Sequence, residues 1–222
     1  MSHMTLVVGL DPAPQKASTV FDGSNISRYD AANLEKYIIN SGGKSVLVCC
    51  DAPLTGPQNP DDSIFIAGDH TQRPIESFFR QSAWGVKTPK GISVRGYAGC
   101  PHWTITRRLF GLPRVGRWDL GWDQLPFQLI TGGGEICGRA AIIEVHPAIA
   151  IWLWCQDSWP LPSGWEYKSN ENVLHGLWGI LKSVLPISVH AQAAKFEPSS
   201  DDDLDAFVAW ALGYCWLQDD GV

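Results

Sequence analysis

Two aspartates stand where apolar runs end. Thr5-Leu-Val-Val-Gly-Leu10 gives way to Asp11-Pro12, and Ser45-Val-Leu-Val-Cys-Cys50 gives way to Asp51-Ala-Pro53. Continuous apolar runs of this length mark strands buried on both faces, so each carboxylate falls at a strand's C-terminal end. A second set of acids, Asp201, Asp202, Asp203 and Asp205, crowds the start of a C-terminal apolar segment, where a helix N-terminus favours negative charge. Asp202 and Asp205 share one helical face. Asp201 and Asp203 point elsewhere, and helix capping accounts for them. Glu144 and His146, in Arg139-Ala-Ala-Ile-Ile-Glu-Val-His146, leave one face of a further strand. Carboxylates brought together raise one another's pKa unless a cation stands between them, so the chemistry open to such a set is cation binding. Glu144 and His146 could add a metal ligand and a general base, or be an acid and a histidine satisfied within the packing.

The elements that must position these residues can be read from the chain. Ala17 to Phe21, then Asp22-Gly23, then Asn25-Ile-Ser27 predict a tight hairpin. Asp30 caps a helix through Ile39, with Ala31, Leu34, Tyr37 and Ile38 at helical spacing and Gly42-Gly43 as its stop. The Arg139–His146 strand is broken by Pro147 at the start of a Trp-rich helix. An amphipathic helix is expected over Asn172 to Leu185, and a last one opens at Ser199 and runs to about Leu217. Three strands, a helix, a strand, a long connection, a strand and helices make an α/β layout with a mixed sheet. Helical crossovers between parallel strands have one hand, which brings the ends carrying Asp11 and Asp51 side by side.

At 222 residues and 24.4 kDa, a single domain over 4–222 is expected, with an insertion over 54–138 holding short helices near 75–82 and 103–110. Residues 1–3 read as a cloning remnant before a native Met4. With 45% hydrophobic and 18% charged residues the chain has apolar surface enough to fold, which excludes a disordered class. No apolar run approaches the ~20 residues that span a bilayer, and no secretory signal opens the sequence; a cytoplasmic protein without a membrane partner is the expectation, and a homodimer is compatible with it. Six cysteines without a CxxC pair read as reduced packing residues, Cys100-Pro-His102 included. Among eleven tryptophans, Trp152, Trp154, Trp178 and Trp210 lie in apolar helical stretches and read as core. The net charge of −6 is uneven: Arg73 to Arg117 carries nine basic residues against Glu76, a net +8, leaving −14 for the rest. Such a segment is either a solvated loop or an arm that meets a polyanion. Arg107, Arg108, Arg114 and Arg117 are its candidate phosphate contacts, with helix salt bridges as the alternative.

Val8-Gly-Leu-Asp-Pro-Ala-Pro14, Cys50-Asp-Ala-Pro-Leu54, Gly96-Tyr-Ala-Gly-Cys-Pro101, Ile143-Glu-Val-His-Pro147 and Asp202-Asp-Leu-Asp-Ala206 resemble the family catalogued as domain of unknown function 429, across nearly the whole chain. The resemblance implies a ribonuclease H-like fold: a central mixed five-stranded sheet flanked by helices, with a long insertion between the fourth and fifth strands. It also implies a nuclease. Residue by residue it implies Asp11, Asp51, Asp202 and Asp205 as ligands of Mg²⁺ or Mn²⁺, with Glu144 auxiliary beside His146 and nucleic acid as partner. Hard oxygen donors favour those ions over zinc, and two of them about 4 Å apart suit in-line phosphodiester hydrolysis. Pro12 and Pro14 remove backbone donors where a phosphate loop would need them, which disfavours nucleotide phosphotransfer. The alternatives are a non-catalytic binding module on the same fold and a hydrolase of a small phosphorylated metabolite.

Overall fold

The computed structural model describes residues 6–13, 16–40, 46–52, 128–129, 140–155, 158 and 164–218. Outside them lie nearly all of the 54–138 stretch with its two expected short helices, and with it Arg107, Arg108, Arg114 and Arg117. The described chain is α/β. Its elements are β1 (Leu6–Asp11), β2 (Ser18–Phe21), β3 (Ile26–Tyr29), α1 (Ala31–Asn40), β4 (Val46–Cys50), β5 (Gln128–Leu129), β6 (Ala140–Glu144) and α2 (Pro147–Cys155). A 3-10 turn (Gly164–Lys168), α3 (Glu171–Val184), a second 3-10 turn (Ile187–Val189), α4 (His190–Ala193) and α5 (Asp201–Gln218) follow.

The strands form one mixed sheet in the order β3-β2-β1-β4-β6-β5. β1, β2 and β3 are antiparallel neighbours, whereas β4 lies parallel to β1, and β6 parallel to β4. All five expected strands are there. The sixth, β5, comes from within the stretch read as insertion and pairs parallel to β6 at the sheet edge; two residues are too few to carry a periodic signal. No single helix among the described residues is long and apolar enough to cross a membrane.

Local chemistry explains the framework. The Asp22 Oδ1 accepts from the Ser24 and Asn25 amides at 2.9 and 2.8 Å, and Gly23 takes φ 91°, so four residues, Asp22 to Asn25, turn the hairpin. Asp30 caps α1 by accepting from the Asn33 amide at 2.9 Å. Asn170 caps α3 through the Asn172 and Val173 amides, which starts that helix one residue before its expected first position. On one face of the sheet Leu34 and Ile38 of α1 cover Val8, Leu10, Val48, Cys50 and Ile142. On the other lie α2, α3 and α5 over Val7, Leu47 and Cys49. There Trp178, Phe196, Phe207, Phe21 and Trp210 pack ring against ring at 4.6–5.8 Å, and each large buried side chain stabilises the fold by roughly 1.5–3 kcal/mol. Trp152, Trp178 and Trp210 are buried and Trp154 partly so, the core role read for them.

Every residue of α5 from Asp203 to Gly213 is buried. A helix apolar on all sides belongs inside a protein, and this one is enclosed between the sheet and the outer helices.

Candidate functional site

The register of β1 and β4 sets the first two acids. Leu10 pairs with Cys50, and one step further the Asp51 amide donates to the Leu10 carbonyl at 2.8 Å. Asp11 and Asp51 thus sit at one level on neighbouring parallel strands, whose axes are ~4.8 Å apart. Alternation places them on the face of Val7, Leu47 and Cys49, the face that α5 covers.

Two glycines bring the helix down onto that face. A Cβ on Gly9 would stand 2.0 Å from the Ala206 carbonyl oxygen, and one on Gly213 would stand 2.0 Å from the Cys49 Sγ and 3.2 Å from Val7 Cγ1. Residue numbers along α5 therefore fall as those along β1 rise, so the N-terminal turns of the helix reach the strand end that carries Asp11. Asp202 and Asp205 arrive there.

Three acids of those turns each hold a cation delivered by a different element. Lys16, in the connection from β1 to β2, pairs with Asp202. Arg28 of β3 pairs with Asp203 at 2.6 Å. Lys168, at the end of the 3-10 turn, meets the Asp205 Oδ2 at 2.5 Å, while the Tyr167 hydroxyl donates to Oδ1 at 2.9 Å. Asp203 also accepts from the Ser199 amide and hydroxyl at 3.0 and 2.6 Å, and its own amide donates to Ser200 Oγ at 3.2 Å. It is a capping residue, as its place in the sequence implies. Although burial opposes its charge, hydrogen bonds from Ser199 and Arg28 hold its carboxyl below the usual range.

The carboxylates act on one another. Burial first, then the charges of Asp51, Asp205 and Asp202, raise the Asp11 carboxyl well above its ordinary value, with Lys168 opposing. Burial and Asp205 push Asp51 up to about 8, again against Lys168, with a lesser push from Glu144. Tyr167 is raised by its burial and by the Asp205 charge it faces. Asp11, Asp51, Asp202 and Asp205 thus form one group of acids whose charges act on Asp11 or Asp51, with Lys168 at its side.

The donors here are of the kind a hard cation takes. Asp51 is 6% exposed, and its Oδ1 is buried with no hydrogen-bond partner among the described residues. A buried acceptor left without a partner costs about 1–3 kcal/mol, which a cation would remove. The donors gathered here are all carboxylate oxygens, the set that Mg²⁺ and Mn²⁺ take. Among the described residues no three His, Cys, Asp or Glu side chains are so arranged that they could hold a metal ion; Asp202 and Asp205 are turned to their lysines.

Glu144 and His146 are placed differently from that set. Glu144 pairs with Cys50, so alternation puts it on the α1 face of the sheet, opposite Asp11 and Asp51, although its charge still reaches Asp51. His146 is not on the strand: β6 ends at Glu144. It stands in the turn before α2, its carbonyl accepting from the Ile149 and Ala150 amides at 3.1 Å. The shared strand face expected for these two residues ends before it reaches the histidine. Lys16, Arg28, Tyr167 and Lys168 were not singled out by sequence, and no local motif marks them. Their partners are 37 to 186 residues away. No family model, curated protein or solved structure matches this chain.

Proposed function

We propose that this chain is a ribonuclease H-like domain that hydrolyses phosphodiester bonds of nucleic acid, with Mg²⁺ or Mn²⁺ held by Asp11, Asp51, Asp202 and Asp205. One observation carries the reading: Asp11 and Asp51 stand side by side at parallel strand ends under the acids of α5, with a buried oxygen on Asp51 that has no hydrogen-bond partner among the described residues. The strand order with its antiparallel β1-β2-β3 and parallel β4 and β6 supports the fold assignment, and so does the resemblance carried by the motifs around these acids. When bound, the ions supply Lewis-acid activation of a water and stabilisation of the leaving oxygen.

The chain's residues do the rest. Asp11 and Asp51 fix their carboxylates from the rigid sheet, where strand ends hold a site more closely than loops do. Asp202 and Asp205 approach from the helix, and Tyr167 orients Asp205 through its hydroxyl. Arg28 keeps Asp203 out of the pocket. Glu144 tunes Asp51 from across the sheet. The basic stretch from Arg73 to Arg117, with Arg107, Arg108, Arg114 and Arg117, guides the polyanion.

Crystals soaked in Mn²⁺ are expected to show the ion among these four acids. Asp11→Asn is expected to abolish cleavage of a mixed panel of DNA and RNA while leaving the circular dichroism spectrum unchanged; cleavage that survives this substitution refutes the proposal. A second reading, a non-catalytic binding module, draws support from the pairing of Lys16 and Lys168 with Asp202 and Asp205, which balances the acids without an ion. Nucleic-acid binding that needs no metal and leads to no turnover selects it.

A further inference from the structure

The cations around the acid pocket are not equivalent. Lys16 is the more exposed of the two lysines and reaches Asp202 at the rim. Arg28 is committed to Asp203, itself tied to Ser199. Lys168 is different: its ammonium lies on Asp205, which is 2% exposed, while its own side chain is 49% exposed. It comes from a short 3-10 turn and lies 5.3 Å from the Tyr167 ring centre. The same charge also acts on Asp51 and Asp11. One ammonium on a half-exposed side chain thus stands in for positive charge to three carboxylates.

We propose that Lys168 is the pocket's built-in counter-cation, held on Asp205 where a divalent ion would bind, and that the ion's arrival frees its ammonium to contact the anionic phosphate of a ligand. This rests on the metal-site reading above. An ion ligated by Oδ2 of Asp205 would stand against the ammonium already on that oxygen, and two positive charges so close repel, so Lys168 and the ion compete. Once released, a side chain already half in solvent has the reach and the charge for a phosphate oxygen. Ion and anion should therefore bind with positive coupling, and that coupling should pass through this lysine.

Titration of the full-length protein with Mn²⁺ alone tests the competition. Lys168→Met is expected to bind Mn²⁺ about tenfold more tightly than the unaltered protein. Methyl phosphate is expected to tighten Mn²⁺ binding in the unaltered protein and to have no effect in Lys168→Met. A purely structural lysine would move affinity the other way, by loosening Asp205. Should Lys168→Met fail to fold, the ¹⁵N signal of the Lys168 ammonium in the unaltered protein serves instead: it is expected to shift on adding Mg²⁺. Mn²⁺ affinity that is equal or weaker in Lys168→Met, or an ammonium signal unmoved by Mg²⁺ that does bind, overturns the proposal and leaves the metal site standing. An unaltered protein that binds neither ion overturns both.

Discussion

Gly9 of β1 and Ala206 of α5 approach so closely that a Cβ on the glycine would stand 2.0 Å from the alanine carbonyl oxygen and 2.5 Å from the Trp210 amide nitrogen. The helix therefore lies directly on the strand, and this contact sets the depth at which Asp202 and Asp205 meet Asp11. Both obstructing atoms are backbone, so an added methyl has nothing that can turn aside.

Gly9→Ala is accordingly expected to lift α5 and destabilise the protein by at least the ~1–3 kcal/mol typical of overpacked cores, read as a lowered urea midpoint. Gly213→Ala meets instead a side-chain atom, Cys49 Sγ at 2.0 Å, so its cost is expected to be largely recovered in the double variant Gly213→Ala/Cys49→Ala. Gly9→Ala unfolding at the same midpoint as the unaltered protein would contradict this account of how the helix is seated.

Much of that frame was legible in the sequence, because burial on both faces leaves an unbroken apolar run. Thr5 to Leu10 and Ser45 to Cys50 read as strands for that reason, and so Asp11 and Asp51 could be placed at their ends; the strands run Leu6–Asp11 and Val46–Cys50. The face of Glu144 was not legible. It depends on β6 pairing Glu144 with Cys50 rather than with Asp51, and a slip of one residue would reverse it. Nor could the counter-cations be read, since Lys16, Arg28 and Lys168 find their acids only when distant elements pack against α5. The sequence directed attention to the arginines between Arg73 and Arg117; the described structure supplies cations from elsewhere.

The raised carboxyl of Asp51 makes stability depend on pH. In the folded protein this group holds its proton to about pH 8, whereas in the unfolded chain it releases it near pH 3.9. Between those values the folded state binds more protons, so stability is fully present below about pH 4 and falls as pH rises toward about 8, with a slope up to about 1.4 kcal/mol per pH unit for one group. Urea midpoints measured in chelator from about pH 5 to 8 should decline. Asp51→Asn should make the decline shallower, and an identical profile in that variant would remove Asp51 as its source.

Arg28 and Asp203 give the opposite sign. Asp203 is buried and its carboxyl is held below the usual range by Ser199 and Arg28. Its contribution is present above the unfolded value near 3.9 and is lost as pH falls through the lower folded value. Arg28→Met leaves a buried carboxylate with only its Ser199 bonds, and a loss of about 1–3 kcal/mol is expected near neutrality. The difference from the unaltered protein should shrink below about pH 4. A cost that stays constant down to acid pH would mean that packing of the Arg28 stem, and not its charge, is what the substitution removes.

Asp11 gives the sharpest contrast between fold and site. Its carboxyl is raised by burial and by Asp51, Asp205 and Asp202, so its ionised form is disfavoured in the folded state. Asp11→Asn removes that repulsion, and in chelator the variant is expected to melt at the same temperature as the unaltered protein or higher. Millimolar Mn²⁺ should raise the melting temperature of the unaltered protein, because an ion that binds only the folded state stabilises it by RT ln(1 + [L]/Kd), about 2.7 kcal/mol at a hundredfold excess over Kd. The same addition should leave Asp11→Asn nearly unmoved. Stability that is kept or raised in chelator, together with a lost Mn²⁺ response, from one oxygen-to-nitrogen exchange distinguishes a cation site from an ordinary buried acid, whose loss would lower stability with or without the ion. A full Mn²⁺ response in Asp11→Asn would place the ion elsewhere.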